Sequence, residues 1–190
     1  MKTRYNNGIF ETKSYIEPEI SSEIMHEIVS DIYTRVRHLE VDSLEWAIKG
    51  LSGKEDGKNM IRINLESIEF KPDTHIYDLI LDVYVNIIRR QFTILVSVLM
   101  KYEVDSNGNP YIVAEVSNPN FFLKNADGTF YIRQTEGKKQ FAVQSSVSFG
   151  WFFNLFISTS NYSSIAEWRI QTFLENVNAE AKRRSQTQKN

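Results

Sequence analysis

The sequence predicts an α+β fold: N-terminal helices, a twisted antiparallel meander sheet of four or more strands, and a C-terminal helix packed on one face. Three changes of period predict it. From Ile20 to Leu39 apolar residues recur every three or four positions; from Met60 to Val116 they alternate; after Ser164 the helical spacing returns.

Residues 1–16 carry no clear period and read as a variable arm. Pro18 suits the first turn of a helix, with Glu17 and Glu19 at its positive end. Ile20, Ile24, Ile28, Ile32, Val36 and Leu39 make the apolar stripe, widened by Met25 and Val29, while Glu23, Glu27, Asp31, Arg35 and His38 take the other face. A short second helix starts at Asp42 or Ser43 and stops at Gly50, a suitable C-terminal cap. The polar loop LSGKEDGKN is the best boundary. It divides the chain into 1–52, an arm with helices, and 53–190, the sheet with its C-terminal helix, together one compact unit.

Beyond that loop, Ile61, Ile63 and Leu65 alternate with polar residues, and the phase slips at Ser67 before Ile68 and Phe70, which predicts a bulge. Tyr77 to Ile87 form a second, longer strand, ended by a turn at Arg89 and Arg90. Phe92 to Val104 alternate without a break. DSNGNP turns the chain, and YIVAEV is the fourth strand. A hairpin is then expected around Asn125-Ala126-Asp127-Gly128, followed by the loop TEGKKQ. In the last helix Ser164 and Glu167 fit a capping box, and Ala166, Ile170, Phe173, Leu174, Val177 and Ala181 form the stripe.

Composition narrows the function. The 190 residues are 42% hydrophobic and 24% charged with a net charge of −2, which describes a folded domain with no global basic field for nucleic acid. The run Lys182, Arg183, Arg184 reads as a solvated tail. Cysteine is absent, which removes thiol chemistry and Cys-based metal sites. The opening MKTRYNNGIFETK lacks the apolar core of a secretory signal, and no apolar stretch is long enough to span a bilayer, so a cytoplasmic protein is expected.

Converging reactive groups are hard to find. His26-Glu27 opens like a zinc-protease helix, but Ser30 stands where the second histidine belongs. Asp73 and His75 sit in a turn. Asp78 and Asp82 share a strand face about 13 Å apart, too far for a catalytic carboxylate pair. Asp105-x-Asn107-x-Asn109 imitates a calcium loop without its glycine and terminal Glu. No enzyme, no metal and no cofactor is the expectation.

The feature that calls for a function is SVSFGWFFNLFISTSN, residues 146–161. Read as a strand, it faces Phe149, Trp151, Phe153, Leu155 and Ile157 one way, and Phe152 and Phe156 the other. Read as a helix, it groups Trp151, Phe152, Leu155 and Phe156. In both readings aromatics point in more directions than one core face can cover, and uncovered apolar surface marks a partner site.

Residues 58–160 resemble the SecB family of export chaperones. The likeness rests on the first strand NMIRINLESIEF, two long strands, AEVSNPNFFL at the fourth, and FGWFFNLFIST where the family begins its first long helix. It implies a four-stranded sheet with helices behind, a dimer of dimers, and ATP-independent holding of unfolded clients. The client groove would be lined by Phe121, Phe122, Phe149, Trp151, Phe152, Phe153 and Phe156, with Glu115 matching an acid that contacts the translocase. Gly150 departs from the family, which has proline there. The partners expected are therefore a protein or unfolded client and further copies of the chain in a homo-oligomer, with neither nucleic acid nor membrane. Two alternatives differ in kind: a structural assembly subunit of a phage-like particle, and a binder of small apolar ligands in a curved sheet wrapped on helices.

Overall fold

The sheet of four or more strands has eight in the computed structural model, which describes residues 2–51, 61–86, 88–155 and 158–188. The elements are β1 (Lys2–Asn6), β2 (Ile9–Ile16), α1 (Ser22–Arg37), a 3-10 turn (Val41–Leu44) leading into α2 (Glu45–Ile48), β3 (Ile61–Lys71), β4 (Ile76–Val85), β5 (Arg90–Val104), β6 (Pro110–Val116), β7 (Leu123–Thr135), β8 (Lys138–Phe149), α3 (Trp151–Asn154) and α4 (Thr159–Thr187). All strands pair antiparallel in one sheet, ordered β1-β2-β8-β7-β6-β5-β4-β3. The N-terminal hairpin thus joins the end of the meander, and the two helices α1 and α2 interrupt the chain between β2 and β3.

The arm expected at residues 1–16 is a hairpin. Asn7 and Gly8 both have positive φ, 48° and 81°, the two-residue turn whose twist matches its strands. Ile9 to Ile16 then pair along β8 from Ser148 to Phe141. The hairpin expected at 125–128 is displaced in the same way. Asn125 to Gly128 lie within β7, paired with β8, and the turn is at Glu136 and Gly137, with φ of 52° and 78°. The expected bulge is present between Leu65 and Ser67.

Helix α1 starts later than Pro18: Ser21 caps it, its hydroxyl accepting from the Ile24 amide. Its buried residues, Ile24, Met25, Ile28, Val29 and Ile32, are those of the predicted stripe. Helix α4 begins at Thr159 rather than at Ser164, capped by the Ser158 hydroxyl, and buries Leu174, Val177 and Ala181. It packs mainly on β1, β2 and β8 and on the two helices α1 and α2.

In the basic run near its end Lys182 and Arg183 are exposed as expected, but Arg184 is not. Arg184 is 13% exposed and bonds Glu180 at 2.8 Å, Glu27 at 2.8 Å and Asp31 at 2.6 Å, clamping α4 to α1.

The described residues 146–155 are partly strand and partly helix. The strand β8 ends at Phe149, Gly150 passes against the peptide of Phe121, and a single turn of helix follows. A Cβ on residue 150 would stand 2.0 Å from the Phe121 carbonyl oxygen, and the Gly150 amide bonds the Phe122 carbonyl at 2.8 Å. That close approach is the physical reason for glycine here.

Candidate functional site

Strand register decides which side chains meet across the sheet, because directly opposed residues share a face. Met100 faces Ala114, Ala114 faces Gly128, Gly128 faces Ser145, Ser145 faces Thr12, and Thr12 faces Thr3. One transverse row is therefore built from small side chains over five strands. It lies on the face that carries Ile112, Phe130 and Phe141, the face covered by α1 and α4.

On either side of that row the apolar packing closes into two separate cores. One joins α1 and α4 to Ile112, Phe130, Ile132 and Phe141. The other joins Val83, Val85, Ile94 and Val96 to Phe122, with Phe92 and Phe152 packed against it. Between them Val98, Met100, Ala114, Ala126, Gly128 and Ser145 stay only half-buried. A Cβ built on Gly128 meets a single atom within 4 Å, the Gln144 carbonyl oxygen at 3.9 Å. From Ala114 through Gly128 to Ser145 the row is thus a half-buried strip between the two cores, while Thr12, further along it, is fully buried.

Helix α4 covers one side. Its Tyr162 ring lies 4.4 Å from Phe10 and 5.0 Å from Phe149, and burial pushes the phenol pKa up to about 12. Further along, Glu167 Oε1 accepts from the Thr3 amide at 2.7 Å, and the Ser14 hydroxyl donates to Gln171 Oε1 at 3.4 Å. Phe173 meets Phe130 edge-on at 5.2 Å. The Thr3 and Thr12 hydroxyls bond each other at 3.0 Å. This side is apolar, with hydroxyls, one amide and one carboxylate at its edge.

The predicted client residues divide into three environments. Phe121, Phe122 and Phe152 form an aromatic cluster with Phe92, ring centroids 5.3 Å from Phe92 for Phe122 and 5.4 Å for Phe152. The cluster caps the second core rather than lining an open groove. Phe149 turns instead to Phe10 and Tyr162. Trp151 touches Phe152 but is mainly in solvent. Glu115 is on the other face of the sheet, 3.6 Å from Lys101. Phe156 and the side chain of Phe153 lie outside the described residues. Sequence reasoning missed Phe92 as the fourth ring, placed Gly128 in a turn, and gave Ala114 and Ser145 no role.

Other candidates are absorbed by structure. Asp105 Oδ1 accepts the amides of Asn107 and Asn109 at 2.8 Å each, and the Asn109 bond leads in holding its carboxyl below the usual range. His26 bonds Asn109 at 3.3 Å. Asp78 bonds Lys71 and Ser97, and Asp82 bonds Gln91 and Thr93. Among the described residues no three acids or histidines converge as a metal site, and no helix is long and apolar enough to cross a membrane.

No protein-family model matches the chain, and no curated protein matches it. Solved structures do. The di-domain ARO/CYC StfQ from the steffimycin biosynthetic pathway superposes with a TM-score of 0.53 at 10% identity, over 93% of this chain and 51% of that one. The di-domain ARO/CYC BexL from the BE-7585A pathway gives 0.37 at 9% identity over 90% and 50%. A START superfamily protein from Mycobacterium smegmatis gives 0.46 at 10% identity over 91% and 97%. The chain thus spans about half the length of the two di-domain proteins. The likeness to StfQ is one of fold, a sheet gripping a long C-terminal helix, and it overturns the resemblance to SecB. A single eight-stranded sheet closed by its N-terminal hairpin replaces the four-stranded sheet that resemblance implied.

Proposed function

We propose that this chain binds a small, largely apolar molecule over the strip of small side chains between the two apolar cores, on the sheet face that α4 covers. One observation carries the reading: a row of small side chains, in register from Ala114 through Gly128 to Ser145, separates two apolar cores that would otherwise be continuous. Packed interiors leave few such gaps, and apolar concavities with a few polar groups at the edge suit ligands of this class. The half-buried Ser145 hydroxyl is the polar group of the strip that would meet the ligand. Binding is favoured over chemistry because Glu167, the acid at this edge, is engaged by the Thr3 amide, and catalysis asks for converging acid and base groups.

Gly128→Leu tests it. A Cβ there makes only an ordinary contact, 3.9 Å from the Gln144 carbonyl oxygen, so the fold should be retained while the strip is covered. Uptake of the apolar dye phenylnaphthylamine should weaken about ten-fold or more, the scale of pocket discrimination by a few carbons. Equal dye affinity in wild type and variant, with both folded by circular dichroism, would sink the reading.

A further inference from the structure

The end of the sheet nearest Gly150 has a composition unlike the rest. Among the described residues, the start of β3 at Ile61, the β4–β5 turn, the 117–124 connection, the end of β8 with α3, and the tip of the N-terminal hairpin lie there. Register and contacts place them together. Val85 faces Arg90, Ile9 faces Ser148, Leu123 faces Phe149, and the Phe92 ring touches those of Phe121 and Phe152. Large apolar side chains stand in solvent at this end: Trp151 is 72% exposed, Leu155 68%, Phe121 47% and Ile88 37%. Residues 6–9, 84–91, 117–124 and 148–155 contain Arg89, Arg90 and Lys124 and not one Asp or Glu. All three cations are exposed.

We infer that this end docks on an anionic lipid bilayer surface, with Trp151 and Leu155 entering the headgroup boundary and Arg89 and Arg90 over it. The chemistry chooses the occupant. An indole exposed beside aliphatic side chains is at home in the interfacial zone, where one edge stays wet. Basic residues near such a surface are drawn to acidic headgroups, and docking of this kind needs no spanning segment. A second copy is the poorer occupant, since a two-fold contact through this patch would bring Arg89 and Arg90 close to their own counterparts. The proposal is independent of the ligand reading.

Flotation with phosphatidylcholine vesicles, with and without phosphatidylserine, tests it on the full chain. The protein should rise with the anionic vesicles, and brominated acyl chains should quench wild-type fluorescence but not that of Trp151→Phe. Trp151→Ser with Leu155→Ser should abolish flotation. Arg89→Gln and Arg90→Gln should each weaken it about five-fold, with added salt doing the same. These side chains are exposed, so unchanged thermal melts will certify the fold. Gly128→Leu should float like wild type, which separates this outcome from failure of the ligand reading. Absence of flotation, equal flotation on neutral vesicles, or unchanged flotation of the double variant overturns the proposal. So does a concentration-dependent dimer that the double variant dissolves.

Discussion

Two glycines with ordinary backbone angles have opposite surroundings, and substituting each should have an opposite effect. At Gly150 a Cβ would fall 2.0 Å from the Phe121 carbonyl oxygen and 2.5 Å from its carbon, both backbone atoms that cannot swing aside. Gly150→Ala must open the crossing that brings α3 and the Phe152 ring onto the second core. Overpacking of this kind costs about 3 kcal/mol, visible as a lower urea midpoint. Gly128→Ala meets only the Gln144 oxygen at 3.9 Å and should raise stability by about 0.5 kcal/mol through the unfolded chain. If the two alanine variants have the same midpoint, the packing described around residue 150 is wrong. Neither role was legible in the sequence. Gly150 stood out only as a glycine among aromatics, and Gly128 looked like a turn residue after Asn125 and Asp127. What places it in the strip is register with Ala114 and Ser145, two partners on different strands that local pattern cannot identify.

At the scale of elements, α4 is held to α1 by charge as well as by apolar packing. Arg184 and Glu180 are 13% and 7% exposed, and Asp31 is 19% exposed, so the cluster is largely shielded from water. Removing the cation leaves carboxylates with too few partners, a change that costs about 3 kcal/mol in such settings. Arg184→Met should therefore lower the unfolding midpoint far more than Lys182→Met on the same helix. Hydrogen bonds from Arg183 first, and then Arg184, hold the Glu180 carboxyl below its ordinary value of 4.5. A depressed carboxyl contributes stability that is present above its unfolded pKa and lost as pH falls through the folded one. The wild type should thus lose stability below about pH 4.5, and Arg184→Met should flatten that slope. A wild-type stability that stays level through the same acid range would contradict the assignment. The helical stripes and the long strands were readable because period alone fixes them: Ile24 to Ile32, and Phe92 to Val104. The DSNGNP turn was read as it stands, with Gly108 at a φ of 80°, but two other turns were not. Asn7-Gly8 is a strong hairpin signal between two short strands that looked aperiodic because one face is polar, Thr12 and Ser14 being buried among apolar neighbours. Glu136-Gly137 was outweighed by the more turn-like Asn125 to Gly128.

For the whole molecule the decisive contact is the one between the two ends of the sheet's chain path. Strand β2 pairs with β8 over eight residues, and without it that edge of β8 would be bare. The same strand supplies Phe10, 3% exposed, to the rings of Phe149 and Tyr162, and its Thr12 is fully buried. Unpaired edges recruit further strands from other chains. If residues 1–16 were a dispensable arm, a chain starting at Glu17 would remain folded and monodisperse. The sheet described here predicts the reverse: the shortened chain exposes β8, uncovers Phe149 and Phe141, loses the Thr3 amide that engages Glu167, and forms aggregates by light scattering at concentrations where the full chain does not. Adding back a peptide of residues 2–16 should restore a soluble fold, since its pairing and apolar contacts are regained together. A peptide with Phe10→Asp keeps the backbone donors and acceptors but places a charge among the Tyr162 and Phe149 rings, and it should fail. If both peptides rescue equally, edge pairing alone closes the sheet; if the shortened chain needs no rescue, the hairpin is an ornament on a fold completed elsewhere.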